Sequence, residues 1–241
     1  MRRHISYGEE RIGFSIRFVP RPARRISIHV SSDGVVAVDA PEGTAVEEVV
    51  AAVRRRVRWV WLHVRAGRER SRHVLPRKYV SGESHFYLGR RHVLKVSAAP
   101  KGEPGVKLLR GKLEITVHKR DPAQIRNLLD AWYRHRATDV FARRIAACAE
   151  RAAWVKTTPG FRLLTMRTQW GSCSPQGGLL LNPLLVKAPG PCVDYVICHE
   201  LCHLKEHNHS ERFYALLHRL MPDWQKWKTE LDERAEHLLN R

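Results

Sequence analysis

The segment 199–203 reads His-Glu-Leu-Cys-His and has the spacing of a metal site on a helix. Residues four apart lie on the same face of an α-helix, so His199 and His203 can point two imidazoles at one cation. Glu200 is rotated off that line, where its carboxylate can take a proton from a water that the cation makes acidic. Zinc lowers the pKa of such a water to about 7. The segment therefore predicts a hydrolytic zinc centre with Glu200 as the general base.

A catalytic zinc site needs a third protein ligand, and His207 and His209 are the nearby candidates. If the helix continued, His207 would lie about 12 Å along the axis from His199, which is too far for one metal. His209 can fold back if the helix ends near Asn208, a residue type that tolerates the left-handed conformation. We therefore favour His209 as the third ligand and keep His207 as the alternative.

The helix that carries these histidines must also pack against a core. An apolar stripe at helical spacing lies on another side of the same stretch. Its members are Val193, Ile197, Leu201 and Leu204. Cys198 and Cys202 flank the histidines, but thiolate ligands would close the site, so we expect them to be small buried side chains.

The rest of the second half predicts one long helix and two strands. Asp121 followed by Pro122 is a helix start, and the helix is expected to run to about Ala153. Phe161–Thr168 and Leu179–Leu181 are predicted as strands joined by a connection rich in glycine and serine.

The first half is predicted to be rich in strands, with one basic helix. Thr44 and Glu47 form a capping box at the start of that helix, predicted over 44–66. The expected strands are Phe14–Val19, Arg25–Val30, Val35–Asp39, 86–88, 92–96, 106–109 and 113–117, with a turn at Asp33-Gly34. We find no internal repeat. The sequence thus predicts an α+β protein with a β-rich region at 1–118 and a catalytic domain at 119–241.

The chain is strongly basic. Its 241 residues include 43 Lys and Arg against 24 Asp and Glu, a net charge of +19, and +13 of this lies in residues 1–110. Such an excess indicates a polyanionic partner, either nucleic acid or a nucleotide. The exposed face of the predicted helix offers Arg54, Arg55 and Arg58 for that contact. The alternative interpretations are a solvated helix face and a generally arginine-rich proteome.

Cysteine usage and hydropathy predict a cytoplasmic location. Five cysteines with no C-x-x-C pair argue against a disulfide framework and favour reduced thiols. The first residues lack the apolar run of a secretory signal. No stretch approaches the roughly 18 apolar residues of a membrane span, so no membrane partner is expected.

Three blocks of the sequence resemble the YgjP-like metallopeptidase family, within the zincin group that includes the SprT-type proteases. They are 168–174 (Thr-Gln-Trp-Gly-Ser-Cys-Ser) with Leu181-Asn182 and 186–189, then 194–204, and then 209–213. Gly82-Glu83 and 87–90 also fit. The resemblance implies that His199, His203 and His209 bind one Zn²⁺ per chain and that Glu200 is the catalytic base. Pro183 departs from the family pattern, in which an aromatic or polar residue is expected after the asparagine.

The resemblance also implies how substrate is held. Zincins commonly present an edge strand to which an extended peptide adds. The resemblance therefore implies that either Phe161–Thr168 or Leu179–Leu181 is an exposed edge. Trp170, Gly171 and Ser172 are expected at the rim of that cleft.

Three functions remain open at this point. The first is a zinc metallopeptidase. The second is a metal-dependent nucleoside triphosphate pyrophosphatase, since some members of the family are described in that way, although the sequence has no glycine-rich phosphate loop and no carboxylate-rich magnesium cluster. The third is a non-catalytic module that binds metal and nucleic acid, for which Glu200 would be dispensable.

Overall fold

The computed structural model describes residues 1–20, 25–31, 34–72, 75–166 and 169–240, with the backbone alone for 70–72. Its contacts divide the chain into two units, Met1–Leu75 and Pro76–Arg241. Each unit has a hydrophobic core of its own. The architecture is α+β, as expected. No helix in the described part of the chain is long and apolar enough to span a bilayer.

The first unit is a four-stranded sheet covered on one face by two helices. Its strands are β1 (Arg2–Tyr7), β2 (Glu10–Val19), β3 (Ser27–Val30) and β4 (Val36–Pro41), in the order β1-β2-β4-β3. Its helices are α1 (Val46–Arg55) and α2 (Val57–Arg72). Alternate residues of a strand face opposite sides, and Ile12, Phe14 and Ile16 accordingly pack in the core with Val53 and Val60 of the helices.

The basic helix differs from its prediction in two ways. It is broken at Arg56 into α1 and α2, and it extends to Arg72. The expected capping box is wrong, because Ala45 is the N-cap and no side chain bonds to the first turn. Strand β1 was not predicted, and the predicted turn residue Asp33 lies outside the described residues.

The second unit contains two sheets and four α-helices. The strands of its four-stranded sheet are β5 (Ser84–Tyr87), β6 (Arg90–Ala98), β7 (Gly105–Leu109) and β8 (Lys112–Val117), in the order β5-β6-β8-β7. The helices are α3 (Pro122–Arg151), α4 (Gly190–His203), α5 (Glu211–Leu220) and α6 (Trp224–Leu239). A 3₁₀ helix spans Pro183–Lys187.

Helix α3 begins where its sequence predicts, and its packing determines where the chain divides into two units. The carboxylate of Asp121 accepts hydrogen bonds from the backbone N–H groups of Ala123 and Gln124. Leu94 and Ile115 of the four-stranded sheet share a core with α3, and the hydroxyl of Tyr133 on α3 donates to the carbonyl of Phe86. The sheet over 84–117 therefore belongs with the C-terminal helices, and the chain divides at 75/76 instead of the expected 118/119.

The two four-stranded sheets have the same topology. In each, the first and second strands pair antiparallel, the second and fourth pair parallel, and the fourth and third pair antiparallel. Each first strand ends in a tyrosine that packs on a tryptophan of a following helix, with ring centroids 5.4 Å apart for Tyr7–Trp61 and 5.1 Å for Tyr87–Trp132. The expectation of no internal repeat is thus corrected at the level of topology.

A small three-stranded sheet lies beside α4. Its strands are β9 (Phe161–Leu163), β10 (Gly171–Cys173) and β11 (Leu179–Leu181), in the order β10-β11-β9. Leu179–Leu181 is therefore the central strand, which excludes it as the edge. The strand predicted over Phe161–Thr168 ends at Leu163, and β10, an edge strand, was not predicted.

Candidate metal centre

Helix α4 carries two of the candidate ligands on one side and packs with the other. Ile197 and Leu201 are fully buried, as predicted, and so are the flanking thiols of Cys198 and Cys202. Four-residue spacing brings the rings of His199 and His203 to a centroid separation of 5.0 Å. The helix ends at His203, five residues before the expected end, so the turn back does not use a left-handed Asn208.

His209 completes a triad of imidazoles from the loop between α4 and α5. The loop closes because Ser210 caps α5, its hydroxyl accepting from the N–H of Phe213 at 3.4 Å. The His209 ring lies 4.9 Å from that of His199 and 4.8 Å from that of His203.

The nitrogens of the triad are spaced for a single cation. One ligand atom from each of His199, His203 and His209 lies within 4.8 Å of the others, and the Nε2 atoms of His199 and His209 are 3.0 Å apart. Nitrogens about 2.0–2.1 Å from a tetrahedral zinc stand roughly 3.3 Å from one another. The triad can therefore hold a metal ion of this kind. His207 lies along the same cleft but is not one of the three convergent residues.

Phe213 forms the floor beneath the triad. Its ring is fully buried, with centroid distances of 4.9, 4.7 and 4.7 Å to the rings of His199, His203 and His209. This positioning role was missed from the sequence, although Phe213 follows His209 by four residues in a block that resembles the family. An apolar floor limits the room in which the imidazoles can turn.

Burial favours the neutral form of the three imidazoles, which is the form that binds metals. It lowers the pKa of His199 to about 3, helped by the neighbouring histidines, and it lowers the pKa values of His203 and His209 as well. Nδ1 of His203 lies 3.1 Å from the carbonyl of Glu206, which fixes Nδ1–H as donor and leaves Nε2 for a ligand. Nδ1 of His199 is buried with no partner among the described groups.

Glu200 is a buried carboxyl beside the triad. It is 5% exposed, and burial raises its pKa to about 8. A cation held by the triad would favour the carboxylate and lower that pKa. Gly171 of β10 packs directly over it, since a Cβ built on Gly171 would lie 2.8 Å from Oε1 of Glu200.

A cleft of about 430 Å³ opens over these groups. Trp170, Gly171 and Ser172, expected at its rim, lie along one wall with the unpredicted Cys173. Helix α6 contributes Lys228 and Asp232 to the lining. The cleft is thus bounded on one side by an edge strand and carries a lysine among its walls.

Other predicted residues lie elsewhere. Arg54, Arg55 and Arg58 are exposed at the end of α1 and the start of α2 in the first unit. Pro183, the departure from the family pattern, is buried at the first position of the 3₁₀ helix. No backbone donor is needed there, so a proline fits.

Comparison with known proteins identifies the family of this chain and several proteins that are similar to it. The profile of the YgjP-like metallopeptidase domain matches residues 24–234. A protein of Escherichia coli (strain K12) named UTP pyrophosphatase is 30% identical over 84 residues, which cover 32% of this chain and half of that relative. The metallopeptidase zymogens abylysin of Pyrococcus abyssi and jannalysin of Methanocaldococcus jannaschii are each 19% identical with a TM-score of 0.32. They match 40% and 39% of this chain and 89% and 92% of their own. By the profile that spans most of its length, the chain belongs to the YgjP-like metallopeptidase family.

Proposed function

We propose that this protein is a zinc-dependent peptidase that cleaves peptide bonds with Glu200 as general base. One observation carries the proposal: the convergent histidines, the buried carboxyl and an edge strand all line the same cleft. A binding module has no need of a buried carboxyl beside its metal. A peptidase uses all three features together, because the edge strand can hold an extended peptide beside the metal and the base.

The donor set favours zinc over the other common divalent ions. Magnesium and calcium prefer oxygen ligands, whereas three imidazole nitrogens with room for a fourth ligand are typical of catalytic zinc. His199, His203 and His209 would hold one ion per chain. When bound, the ion supplies Lewis acidity, which makes water more acidic and polarises a carbonyl.

Residues of the chain would carry out the proton transfers and hold the ligands in place. Glu200 takes the proton from the attacking water, and its buried position keeps that carboxylate from being solvated by bulk water. The same carboxyl can deliver the proton to the departing amine nitrogen. The hydrogen bond from Nδ1–H of His203 to the carbonyl of Glu206 holds one ligand ring in place during the reaction.

The backbone of β10 supports an extended peptide as substrate. The carbonyl of Trp170 accepts from Asn182 and the N–H of Ser174 donates to Gly178, so these residues face β11. Hydrogen-bonded pairs alternate along an antiparallel ladder, which turns the N–H and C=O groups of Gly171 and Cys173 to the opposite edge. No other described strand pairs with that edge. A peptide can add there as a further strand, over the metal centre.

A second candidate is the hydrolysis of a nucleoside triphosphate. Its support is the ammonium group of Lys228 in the cleft, 2.5 Å from the carboxylate of Asp232, together with the name of the Escherichia coli relative. A lysine in this position can meet a phosphate. It can equally meet the carboxylate of a peptide, so the edge strand keeps the peptidase as the first candidate.

Glu200→Gln tests the proposed chemistry, because glutamine keeps the shape of the side chain but cannot take a proton. The zinc-loaded wild type should cleave casein, and the variant should retain its zinc while turnover falls by at least about a hundredfold. Both proteins are assayed on casein and on UTP with matched zinc content. UTP hydrolysis that depends on Glu200, without casein cleavage, would establish the second candidate. Equal turnover by wild type and variant would refute Glu200 as the general base, and no turnover by either would leave only metal binding.

His209→Ala tests the ligand set. The purified wild type should carry about one zinc ion per chain, and the variant should lose most of it because two imidazoles hold zinc weakly. His207→Ala is the matched control, since His207 lies along the cleft outside the triad and its loss should leave the zinc content unchanged. Zinc is measured by elemental analysis after dialysis. The reverse pattern would make His207 the third ligand.

All five cysteines of the chain are free thiols. Four of them are buried, so they contribute to packing rather than to a disulfide framework. This supports a reducing compartment, and we propose that the enzyme acts in the cytoplasm.

A further inference from the structure

The basic residues of the first unit are all of one kind. Residues 1–75 contain 15 arginines and no lysine, whereas all 11 lysines of the chain follow later. Arginine presents a planar fork of donors that matches phosphate oxygens, and its flat face stacks on rings. A basic region built for solubility alone has no reason to exclude lysine. The use of arginine alone in this unit indicates recognition of a partner that carries phosphate groups.

Four of these arginines lie together where α1 meets α2. Arg54, Arg55, Arg56 and Arg58 are all exposed, and none forms an ion pair with an acidic residue that the structure describes. The N–H of Val60 donates to the carbonyl of Arg56, a helical spacing, so the two helices follow each other almost without interruption. The charges are therefore concentrated on neighbouring turns, and no described carboxylate forms an ion pair with them.

Two of the four also line a cavity. Arg55 and Arg56 meet Arg25 around a hollow of about 360 Å³ between α1 and the edge of the sheet, with Glu48 among its lining. One carboxylate cannot accept all the hydrogen bonds that three guanidinium groups can donate, so donors remain for a ligand. The hollow is large enough for a phosphate group.

An apolar strip borders the arginines on α2. Trp59 is 42% exposed and Leu62 is 49% exposed, although both are large apolar side chains. The Trp59 ring is steadied by the imidazole of His63, 4.3 Å away between centroids. An indole held in this way offers a flat surface beside the arginines. A base that is not part of a duplex can stack on it.

We propose that this surface, made by Arg54, Arg55, Arg56, Arg58, Trp59 and Leu62, binds single-stranded nucleic acid. The guanidinium groups contact the phosphates, and Trp59 stacks on a base. A duplex keeps its bases stacked on one another and cannot use the indole. The inference does not rest on the proposed peptidase activity, because none of these residues belongs to the metal centre.

The charge component is tested by salt dependence. Binding of the full-length zinc-loaded protein to a fluorescent single strand of about 20 nucleotides is followed by anisotropy over a range of salt concentrations. Each neutralised phosphate on a single strand contributes about 0.7 to the slope of log K against log salt. Arg54→Gln/Arg55→Gln/Arg58→Gln should therefore weaken binding and flatten the slope by about 2.

The matched control removes the same charge elsewhere. Arg91, Lys101 and Lys119 are exposed in the second unit, and the Arg91→Gln/Lys101→Gln/Lys119→Gln variant should keep nearly the wild-type slope. If the two triple variants bind alike, the affinity comes from net charge alone and the proposed surface is wrong. Absence of binding by the wild type at low salt would also overturn it.

The stacking component has a different signature. Trp59→Ala should weaken single-strand binding about tenfold with an unchanged salt slope, and Trp59→Phe should restore most of the affinity. A duplex of the same sequence should bind more weakly and be indifferent to both variants. A duplex that binds as tightly as the single strand would refute the stacking role. The last measurement uses vesicles of phosphatidylcholine and phosphatidylserine. If the protein binds the vesicles through Trp59 and does not bind the oligonucleotide, the surface is a membrane-binding one and the proposal is wrong.

Discussion

Contact between Gly171 and Glu200 links the edge strand to the proposed general base. The Cα of Gly171 lies over the buried carboxyl, where an added Cβ would stand 2.8 Å from Oε1 and 2.9 Å from Cγ. The backbone of Gly171 is not in the left-handed region, so alanine is strained there only by this contact. The side chain that must give way is Glu200. Glycine at this position therefore allows the strand and the base to share one wall of the cleft.

Gly171→Ala should lower kcat without removing the metal. Displacing a catalytic group by about 1 Å can cost about a hundredfold in rate, and we expect a loss between about tenfold and that figure. The zinc content should stay at the wild-type level, since no ligand is touched. Both are measured on the same preparation, by steady-state hydrolysis and elemental analysis. Gly160→Ala is the control, because its added Cβ meets open space; full activity in Gly171→Ala would show that Glu200 tolerates the shift.

The residues that could be predicted from the sequence are those whose geometry is local. His199, Glu200 and His203 have their relative positions fixed by the helix on which they lie. His209 folds back to lie with them, but the helix end expected near Asn208 was wrong, because α4 ends at His203. Phe213 touches the triad only after α5 is packed, so nothing local indicated its role.

At the scale of elements, Asn182 connects the small sheet to the segment that precedes β10. Its fully buried amide donates to the carbonyls of Met166 at 2.8 Å and Gln169 at 3.3 Å, while Oδ1 accepts from the N–H of Leu184 at 3.2 Å. One side chain thus caps the 3₁₀ helix and holds the approach to the edge strand.

Asn182→Ala should reduce the free energy of unfolding by about 1–3 kcal/mol, because it leaves buried backbone groups without partners. It should also raise KM for a peptide more than it lowers kcat, since the edge strand loses its anchor while the metal ligands do not. Urea denaturation and steady-state kinetics give the two quantities. Asn127→Ala, at an exposed position on α3, should change stability by less than about 0.5 kcal/mol. A kinetic effect confined to kcat would contradict the anchoring role.

Elements defined by interactions between residues close in sequence could be predicted, whereas elements defined by distant residues could not. The start of α3 was predicted because Asp121 caps it within three residues. Strand β10 has three residues and exists only through its pairing with β11, so no periodicity could reveal it. The break at Arg56 has no proline or glycine to signal it. The boundary at 75/76 was missed because alternation along a strand does not say which helix will cover the sheet.

At the scale of the whole molecule, the candidate metal centre lies in only one of the two units. Each unit has its own core, and the three histidines all lie in Pro76–Arg241. A ligand that binds only the folded form stabilises it by mass action, by about 4 kcal/mol at a thousandfold excess over its Kd. Bound zinc should therefore raise the stability of the second unit selectively.

Removal of zinc with EDTA should accordingly lower the unfolding temperature of the second unit and leave that of the first unchanged. Hydrogen exchange during the thermal ramp distinguishes the two, because the amides of Val60 and Val64 report on the first core and those of Ile197 and Leu201 on the second. His209→Ala is the control, since a protein that holds little zinc should show almost no shift on adding EDTA. Equal shifts in both sets of amides would mean that the two units unfold as one cooperative body, and that zinc stabilises the whole chain.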